Sequence, residues 1–392
     1  MYIYLEDDLC DLDFELDENL LILDFIFNLI YKSFKGKFIL DGKKTLRHVL
    51  KSSSDKMLVS KIKFIIHRNM EYKEVFRSLK FKINISNNYK TVHKVENIIN
   101  IPLHVFLDYD IGVVDFISED YNDADYIDQA MRCYQILNKN LRNFSLKYNK
   151  INGGGANTPN VYDYHLGKKD NIVICLCDSD KYSPKGPLGT NAKECQKKNS
   201  SDSISYFFMT NGREIENDIP FILIKKTFSN DPNTLKKINS LPLYKYNICN
   251  MILKYSDLKK GVPLSWIEKL PKTSENEKYW KHCSRIIIEN SWYNVENEKT
   301  IVIPNVAERL LKNVTLFLKN KSDEDLESLL NSYLESSNDE FIDFLSLGEQ
   351  FFWIIFSFNE KKFVASKKPA LKRVFIKSDL TLQYTYICNR CE

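Results

Sequence analysis

Five acidic residues in the middle of the sequence follow apolar runs or stand near the start of predicted helices. They are Glu119, Asp123, Asp178, Asp180 and Glu216. A carboxylate that closes an apolar strand is costly to bury unless its charge is balanced. A divalent cation supplies that balance, and hard oxygen ligands suit Mg²⁺ or Mn²⁺. The five residues are therefore candidate ligands of a metal ion.

The elements that must position these acids alternate between strands and helices. Short apolar runs predict strands over 111–118, 171–177 and 204–209, and an alternating pattern predicts another strand over 144–150. Apolar residues at three- and four-residue steps predict a helix over 123–141. A glycine loop (Gly153, Gly154, Gly155) leads to Thr158 and Pro159, which predict a helix N-cap followed by proline. A short helix is predicted from Glu214 to near Pro220. This alternation indicates a parallel sheet, whose ligands gather at the carboxyl ends of the strands.

A carboxylate cluster without a paired His or Cys nucleophile suits metal-assisted cleavage of phosphodiesters. If the backbone stays extended, the side chains of Asp178 and Asp180 point the same way. A nearby cation is expected to offset the charge that builds on a phosphate. Lys181, Lys185 and Lys193 follow the two aspartates and are candidate nucleic-acid contacts. A plain surface loop explains these three lysines equally well.

The order of these motifs resembles a TOPRIM domain. Glu119-x-x-x-Asp123 is followed by the glycine-rich turn, then by Asp178-x-Asp180 and then by the segment 213–217 (REIEN). This last segment resembles the corresponding segment of TOPRIM nucleases related to the OLD family and of TOPRIM effectors of anti-phage systems. The resemblance covers about 111–228. It implies a set of ligands for one or two Mg²⁺ ions: Glu119, Asp123, Asp178, Asp180 and Glu216. Within that set it implies catalytic roles for Glu119, Asp178 and Asp180.

The sequence departs from the family pattern at two positions. Asp120 stands where a glycine usually follows the first glutamate, and Asp218 follows the EN pair where an aromatic or aliphatic residue is common. A simpler interpretation of the whole acidic set also stays open. In it, the acids are helix caps and solvated loop residues.

Charge and helical patterning divide the chain into three predicted regions. An accessory region, 1–110, begins with eight acids and no Lys or Arg in its first 20 residues. Its stretch 31–100 holds 17 Lys or Arg against 5 acids, so its net charge is 17 − 5 = +12. A basic stretch of this kind holds phosphates or forms a solvated surface. The region 111–228 is the TOPRIM-like domain, and 229–392 is a mostly helical C-terminal domain. The expected fold class is thus α/β, with a central parallel sheet flanked by helices and an α+β N-terminal region.

The composition and the motifs of the chain bear on its cellular compartment, on zinc binding and on ATPase activity. The whole chain has 56 basic and 52 acidic residues, a formal charge of +4. We find no secretory signal and no apolar run long enough to span a bilayer, so a cytoplasmic protein with no membrane partner is expected. Cys175 and Cys177 are expected to be small core residues, and Cys388-x-x-Cys391 a plain tail rather than a zinc site, which needs about four ligands. The motif of a P-loop ATPase is missing from the sequence.

The predicted function is Mg²⁺- or Mn²⁺-dependent endonuclease activity on DNA or RNA, with tRNA among the candidate substrates. The resemblance implies a toxic effector of bacterial defence against phage. Such an effector is expected to be restrained by a separate ATPase sensor or antitoxin. A homo-oligomer is compatible with this interpretation. A non-catalytic subunit that binds nucleic acid or protein through a degenerate TOPRIM-like domain is the alternative. A small primase- or topoisomerase-like enzyme is a third possibility.

Overall fold

The computed structural model describes residues 1–240, 247–296, 298–335 and 339–358. Two largely parallel sheets flanked by helices make the molecule α/β. Its main hydrophobic core is continuous from the first strand to the last described one. Among the described residues, no helix is both long and apolar enough to cross a membrane.

The N-terminal region is itself α/β, so the expectation of an α+β region was wrong. Its sheet has the strand order β2-β1-β3-β5-β4, and only β4 runs antiparallel to its neighbour. The strands are β1 (Tyr2–Leu5), β2 (Ile39–Asp41), β3 (Lys82–Ser86), β4 (His93–Val95) and β5 (Ile98–Pro102). The helices are α1 (Leu20–Phe34), α2 (Lys43–Ser52), α3 (Lys56–Glu71), α4 (Lys73–Arg77) and α5 (Leu103–Phe106). The long crossovers through α1 and through α2 to α4 make parallel pairing possible.

The second sheet carries the acidic residues and is parallel throughout. Its strand order is β10-β9-β6-β8. The strands are β6 (Val114–Ser118), β8 (Tyr148–Asn152), β9 (Ile172–Cys177) and β10 (Ser205–Met209). The three strands predicted over 111–118, 171–177 and 204–209 are confirmed with small changes at their ends.

The run 144–150 forms two strands instead of the single strand predicted. Residues Phe144–Leu146 form β7, which pairs antiparallel with β14 (Phe356–Phe358). After Lys147 the chain enters β8, which pairs with β6 in the parallel sheet. The alternating pattern reports only that the segment is extended. Tertiary pairing decides that its two halves belong to different sheets.

Helices cover this sheet and form most of the remaining described chain. Those next to the parallel strands are α6 (Tyr121–Leu137), α7 (Thr158–Lys168), α8 (Thr190–Lys198) and α9 (Phe221–Thr227). The later helices are α10 (Pro232–Ser240), α11 (Asn247–Lys254), α12 (Leu264–Ile267), α13 (Glu275–Glu289), α14 (Leu310–Lys319), α15 (Asp323–Glu335) and α16 (Asp339–Ile355). A small antiparallel sheet, β11-β13-β12, accompanies them, with β11 (Val262–Pro263), β12 (Asn294–Glu296) and β13 (Lys299–Ile303).

Three predicted helix ends were slightly wrong. The helix α6 ends at Leu137 rather than at residue 141. Helix α7 begins at Thr158, so Asn157 precedes it, and the Thr158 hydroxyl donates to the carbonyl of Gly155 instead of capping the helix. After Glu214 the chain makes a 3₁₀ turn (Ile215–Asp218), and Pro220 precedes α9 instead of ending a helix.

The close approach of α16 to α6 depends on Gly348. A Cβ atom at this position would lie 2.2 Å from the carbonyl oxygen of Ala130 on α6. We expect Gly348→Ala to lower the free energy of unfolding by about 1–3 kcal/mol, since overpacking forces the backbone to shift. Urea denaturation measures this change. Gly167→Ala is the matched control, because a Cβ there meets no atom within 4 Å in helix α7. The control should be stabilised by up to about 1 kcal/mol; equal stability of the two variants would contradict the close-packing argument.

Candidate metal centre

Glu119 and Asp178 lie at the same edge of the parallel sheet because they follow neighbouring strands. Ser118, the last residue of β6, is paired with Leu176 of β9. The carboxylate of Glu119 accepts a hydrogen bond from the backbone N–H of Asp178 at 3.3 Å. The two acids are therefore joined across the strands, at the edge where a parallel sheet gathers its ligands.

Asp123 lies in the first turn of α6 and faces the same edge. Its carboxylate accepts the backbone N–H of Asp120 at 2.9 Å, while the Asp120 side chain accepts the N–H of Asn122 at 2.8 Å. This reciprocal arrangement caps the helix. Asp120, which departs from the family pattern, is thus the N-cap of α6.

Glu216 reaches the centre from the 3₁₀ turn that follows β10. Its side chain is buried, and the backbone N–H of the preceding Ile215 donates to Asp178 at 2.9 Å. Asp218 has a different task, since its carboxylate accepts the backbone N–H groups of Asn211 and Gly212, each at 2.8 Å. Asp218, the second residue that departs from the family pattern, therefore closes the turn that positions Glu216.

Asp180 leaves the strand direction, so the extended backbone on which a shared orientation with Asp178 depended is not present. Its φ of +52° is in the left-handed region, where a non-glycine residue is strained. Its backbone N–H donates to the carbonyl of Arg213 at 2.8 Å. The chain therefore bends at Asp180 toward Arg213 instead of continuing as a strand.

Burial and mutual repulsion raise the pKa values of these acids. Burial, with the charge of Asp180 next, raises the pKa of Glu119 to about 7. Burial, with Glu216 and Glu119 among the repelling groups, also raises the pKa of Asp123 to about 7. The pKa of Asp178 is raised well above its usual value by burial and by the charges of Asp123, Glu119 and Glu216. Burial raises the pKa of Asp180 as well, although the Arg213 guanidinium opposes this shift.

The donor set fits a hard divalent cation. No Lys, Arg or His nitrogen of the described chain forms an ion pair with Glu119, Asp123 or Asp178, so their charges lack a direct counter-ion. Within the same residues, no three of these carboxylates have oxygens that all lie within 4.8 Å of one another. Mg²⁺ usually takes one or two carboxylates directly and keeps several waters, so it tolerates such spacing.

Sequence reasoning missed Lys259, which comes from beyond the predicted TOPRIM-like region. Its ammonium lies 2.8 Å from Glu214 and 3.2 Å from Glu216. Burial alone would lower the pKa of Lys259, but the charges of the two glutamates outweigh burial and raise it above the usual lysine value. Lys259 is 43 positions after Glu216 and belongs to no motif, so a single sequence does not indicate that the two residues meet. Only the fold brings it to the centre.

Arg213 was part of the quoted motif but was not predicted to be a site residue. Its guanidinium contacts Glu214 and Asp257, each at 3.3 Å, and covers the ring of Tyr182 at 4.7 Å from the centroid. Together with Lys259 it forms a basic side to the acidic centre, next to Asp180. Both cations are paired with carboxylates, so this side of the centre is a network of ion pairs.

If the centre acts as a Mg²⁺-dependent active site, Lys259→Gln should lower its activity by about 100-fold, because removing one preorganised charged donor typically costs 10²–10³. Lys259→Arg should recover most of the loss. Single-turnover rates at saturating Mg²⁺ would measure both variants. Lys260→Gln is the control, since Lys260 is the exposed neighbour. If Lys259→Gln and Lys260→Gln behaved alike, Lys259 would have no part in the centre.

The three lysines proposed for nucleic acid differ in position. Lys181 is half-buried in the loop after Asp180, Lys185 is exposed in that loop, and Lys193 is exposed on α8. The loop is anchored to α13, since the Trp280 indole donates to the carbonyl of Tyr182 at 2.7 Å and Ser183 donates to Asn276 at 2.7 Å. Their contact with nucleic acid stays a prediction.

The glycine turn approaches a neighbouring strand. The backbone N–H of Gly153 donates to the carbonyl of Ser118 at 2.7 Å, and a Cβ on Gly153 would lie 2.3 Å from the hydroxyl oxygen of Thr158. Gly155 donates in the same way to the carbonyl of Glu119 at 3.2 Å. The turn therefore fixes the backbone beneath the first acid of the centre.

The histidine nearest to the acidic motifs and the cysteines have other positions. His165, on α7, contacts Asp115 at 2.8 Å near the amino end of β6, away from the acidic edge. Cys175 and Cys177 are buried, as expected for core residues. Cys388 and Cys391 lie outside the described residues. In the comparisons with known proteins, no family model, curated protein or solved structure matches this chain.

Proposed function

We propose that this protein is a Mg²⁺- or Mn²⁺-dependent nuclease that hydrolyses phosphodiester bonds. The observation that carries the proposal is a group of mutually repelling carboxylates at the carboxyl edge of a parallel sheet. Glu119, Asp123 and Asp178 are half-buried and form no ion pair with a Lys, Arg or His of the described chain, and the buried Glu216 lies beside them. Uncompensated carboxylates at such an edge are better explained by a bound cation than by helix capping alone. A cation held there would polarise the phosphate and supply a hydroxide-like nucleophile.

The residues of the chain have separable tasks in this proposal. Glu119 and Asp178, which meet across the two strands, would hold the cation directly, and Asp123, Asp180 and Glu216 would reach it through water. Lys259 would keep Glu216 in place, and Arg213 would offset the charge of Asp180. The TOPRIM-like assignment belongs to this proposal and is supported by the order of motifs along parallel strands.

A surface on α1 and α3 supports nucleic acid as the substrate. The ring of Tyr31 is 48% exposed and lies 4.7 Å from the ammonium of Lys61, and Phe64 is 40% exposed nearby. Exposed aromatic rings beside lysines stack on bases while the cations contact phosphates. The basic stretch 31–100 thus offers a substrate surface. The defence role, a homo-oligomer and a restraining ATPase or antitoxin follow from the resemblance and stay proposals. The cytoplasmic location follows from the sequence composition and also stays a proposal.

The test is incubation of the purified protein with plasmid DNA, single-stranded DNA, total RNA and tRNA in Mg²⁺, Mn²⁺ or EDTA. We expect cleavage of at least one substrate class with either cation and none in EDTA. Tight binding without cleavage of any class, in every metal, would favour the non-catalytic subunit instead. Cleavage that persists in EDTA would contradict the metal requirement.

A further inference from the structure

Three buried thiols form a compact group behind the acidic edge. The thiol cluster consists of Cys175, Cys177 and Cys195, whose sulfur atoms all lie within 4.8 Å of one another. The sulfurs of Cys175 and Cys177 are 3.7 Å apart, and each of the three residues is at most 1% exposed. In the described chain, no other group of three or more His, Cys, Asp or Glu residues brings its ligand atoms this close.

The cluster is assembled by the fold. Cys175 and Cys177 are two residues apart on β9, so their side chains lie on the same face of the sheet. Helix α8 packs on that face and contributes Cys195, which has apolar neighbours such as Tyr162 and Ala192. Three thiols from two elements therefore converge in a dry environment.

A fourth soft donor stands beside the cluster. Met209 on β10 is opposite Cys177 in the parallel register, so both side chains lie on one face of the sheet. Met209 also packs against the apolar group that contains the three cysteines. Thiolates and a thioether form a donor set that selects soft cations.

We propose that the thiol cluster binds one copper(I) ion through Cys175, Cys177 and Cys195. Metal–sulfur bonds of about 2.3 Å require sulfur atoms about 4 Å apart, close to the spacing seen here. Copper(I) is satisfied by three sulfur ligands. Zinc needs a fourth Cys, His, Asp or Glu ligand, and the described residues bring no fourth such ligand into the group.

Donor type separates this site from the acidic centre. The acids at the carboxyl edge offer hard oxygens, which bind Mg²⁺ or Mn²⁺, while the sulfurs exclude those ions. Because Cys177 directly precedes Asp178, one strand carries ligands of both sites. Copper(I) binding does not depend on nuclease activity, so failure of either proposal leaves the other standing.

The experiment is a competition titration of the reduced full-length protein with copper(I) against bicinchoninate. The parent chain carries Cys388→Ser and Cys391→Ser, which removes the other closely spaced cysteine pair. We expect one equivalent of copper(I) per chain, and X-ray absorption should report three sulfur neighbours at one distance. Cys195→Ala in this parent should weaken binding by at least about 100-fold. The matched control is Cys283→Ala, which removes another buried thiol and should leave binding unchanged.

Several outcomes would overturn the proposal. If the parent chain bound no copper(I) tightly, the three thiols would be packing residues only. An unchanged affinity in Cys195→Ala, or a sulfur count below three, would place copper elsewhere. Zinc binding should also be measured, with zinc alone as the probe. If the protein held zinc more strongly than copper(I), a fourth ligand would have to complete the site. The absorption measurement needs no variant at the cluster, so it stays decisive if Cys195→Ala fails to fold.

Discussion

Asp178→Asn is expected to lower Mg²⁺-dependent cleavage by at least about 1,000-fold, since it removes a charged oxygen from the middle of the acidic centre. Asparagine keeps the size of the side chain and an oxygen that can accept the backbone N–H of Ile215. The fold should therefore survive. Thermal stability should rise or stay constant in metal-free buffer, because a buried charge that faces Glu119 and Asp123 has been lost.

Asp163→Asn is the matched control for this variant. Asp163 is an exposed carboxylate on α7 that pairs with Lys198 at 3.1 Å. Cleavage rates at saturating Mg²⁺ and melting temperatures in EDTA should be measured for both variants. If Asp178→Asn cleaved as fast as Asp163→Asn, Asp178 would have no role in catalysis. A melting temperature that fell strongly only in Asp178→Asn would indicate a structural role instead.

In metal-free buffer, the protein is expected to become less stable as the pH rises from about 5 to about 8. In the folded state the pKa values of Glu119 and Asp123 are about 7, whereas their ordinary values are 4.5 and 3.8. The folded state therefore binds protons more tightly than the unfolded state, and this contribution is lost as the pH passes about 7. We expect a melting temperature about 5 °C lower at pH 8 than at pH 5.

Mg²⁺ should reverse this loss. It competes with protons for the same carboxylates, so it should raise the melting temperature at pH 8 and change it little at pH 5. Calorimetric melting in EDTA and in Mg²⁺ at both pH values would test this expectation. The double variant Glu119→Gln, Asp123→Asn should show a flatter pH dependence and a smaller Mg²⁺ response. An equal Mg²⁺ effect at the two pH values would show that these acids do not bind the ion.

Much of the region around the candidate metal centre could be predicted from the sequence. Apolar runs and helical spacing placed β6, β9, β10 and α6 to within a few residues. Because parallel strands align their carboxyl ends, the positions of Glu119 and Asp178 after their strands were enough to predict that they meet. The α/β class of the N-terminal region was missed. Its short strands are separated by long charged helices, and strand direction depends on crossovers that no local pattern records.

The sequence by itself determined which residue types are available at the strand ends and the local elements that carry them. Tertiary structure decided the rest. It brought Lys259 to Glu216 from 43 positions away, turned Asp180 toward Arg213 and set Cys195 beside Cys175 and Cys177. The physical reason is the range of the interactions. Periodicity and capping act over a few residues along the chain, whereas charge pairing and thiol packing depend on distances that only the folded core fixes.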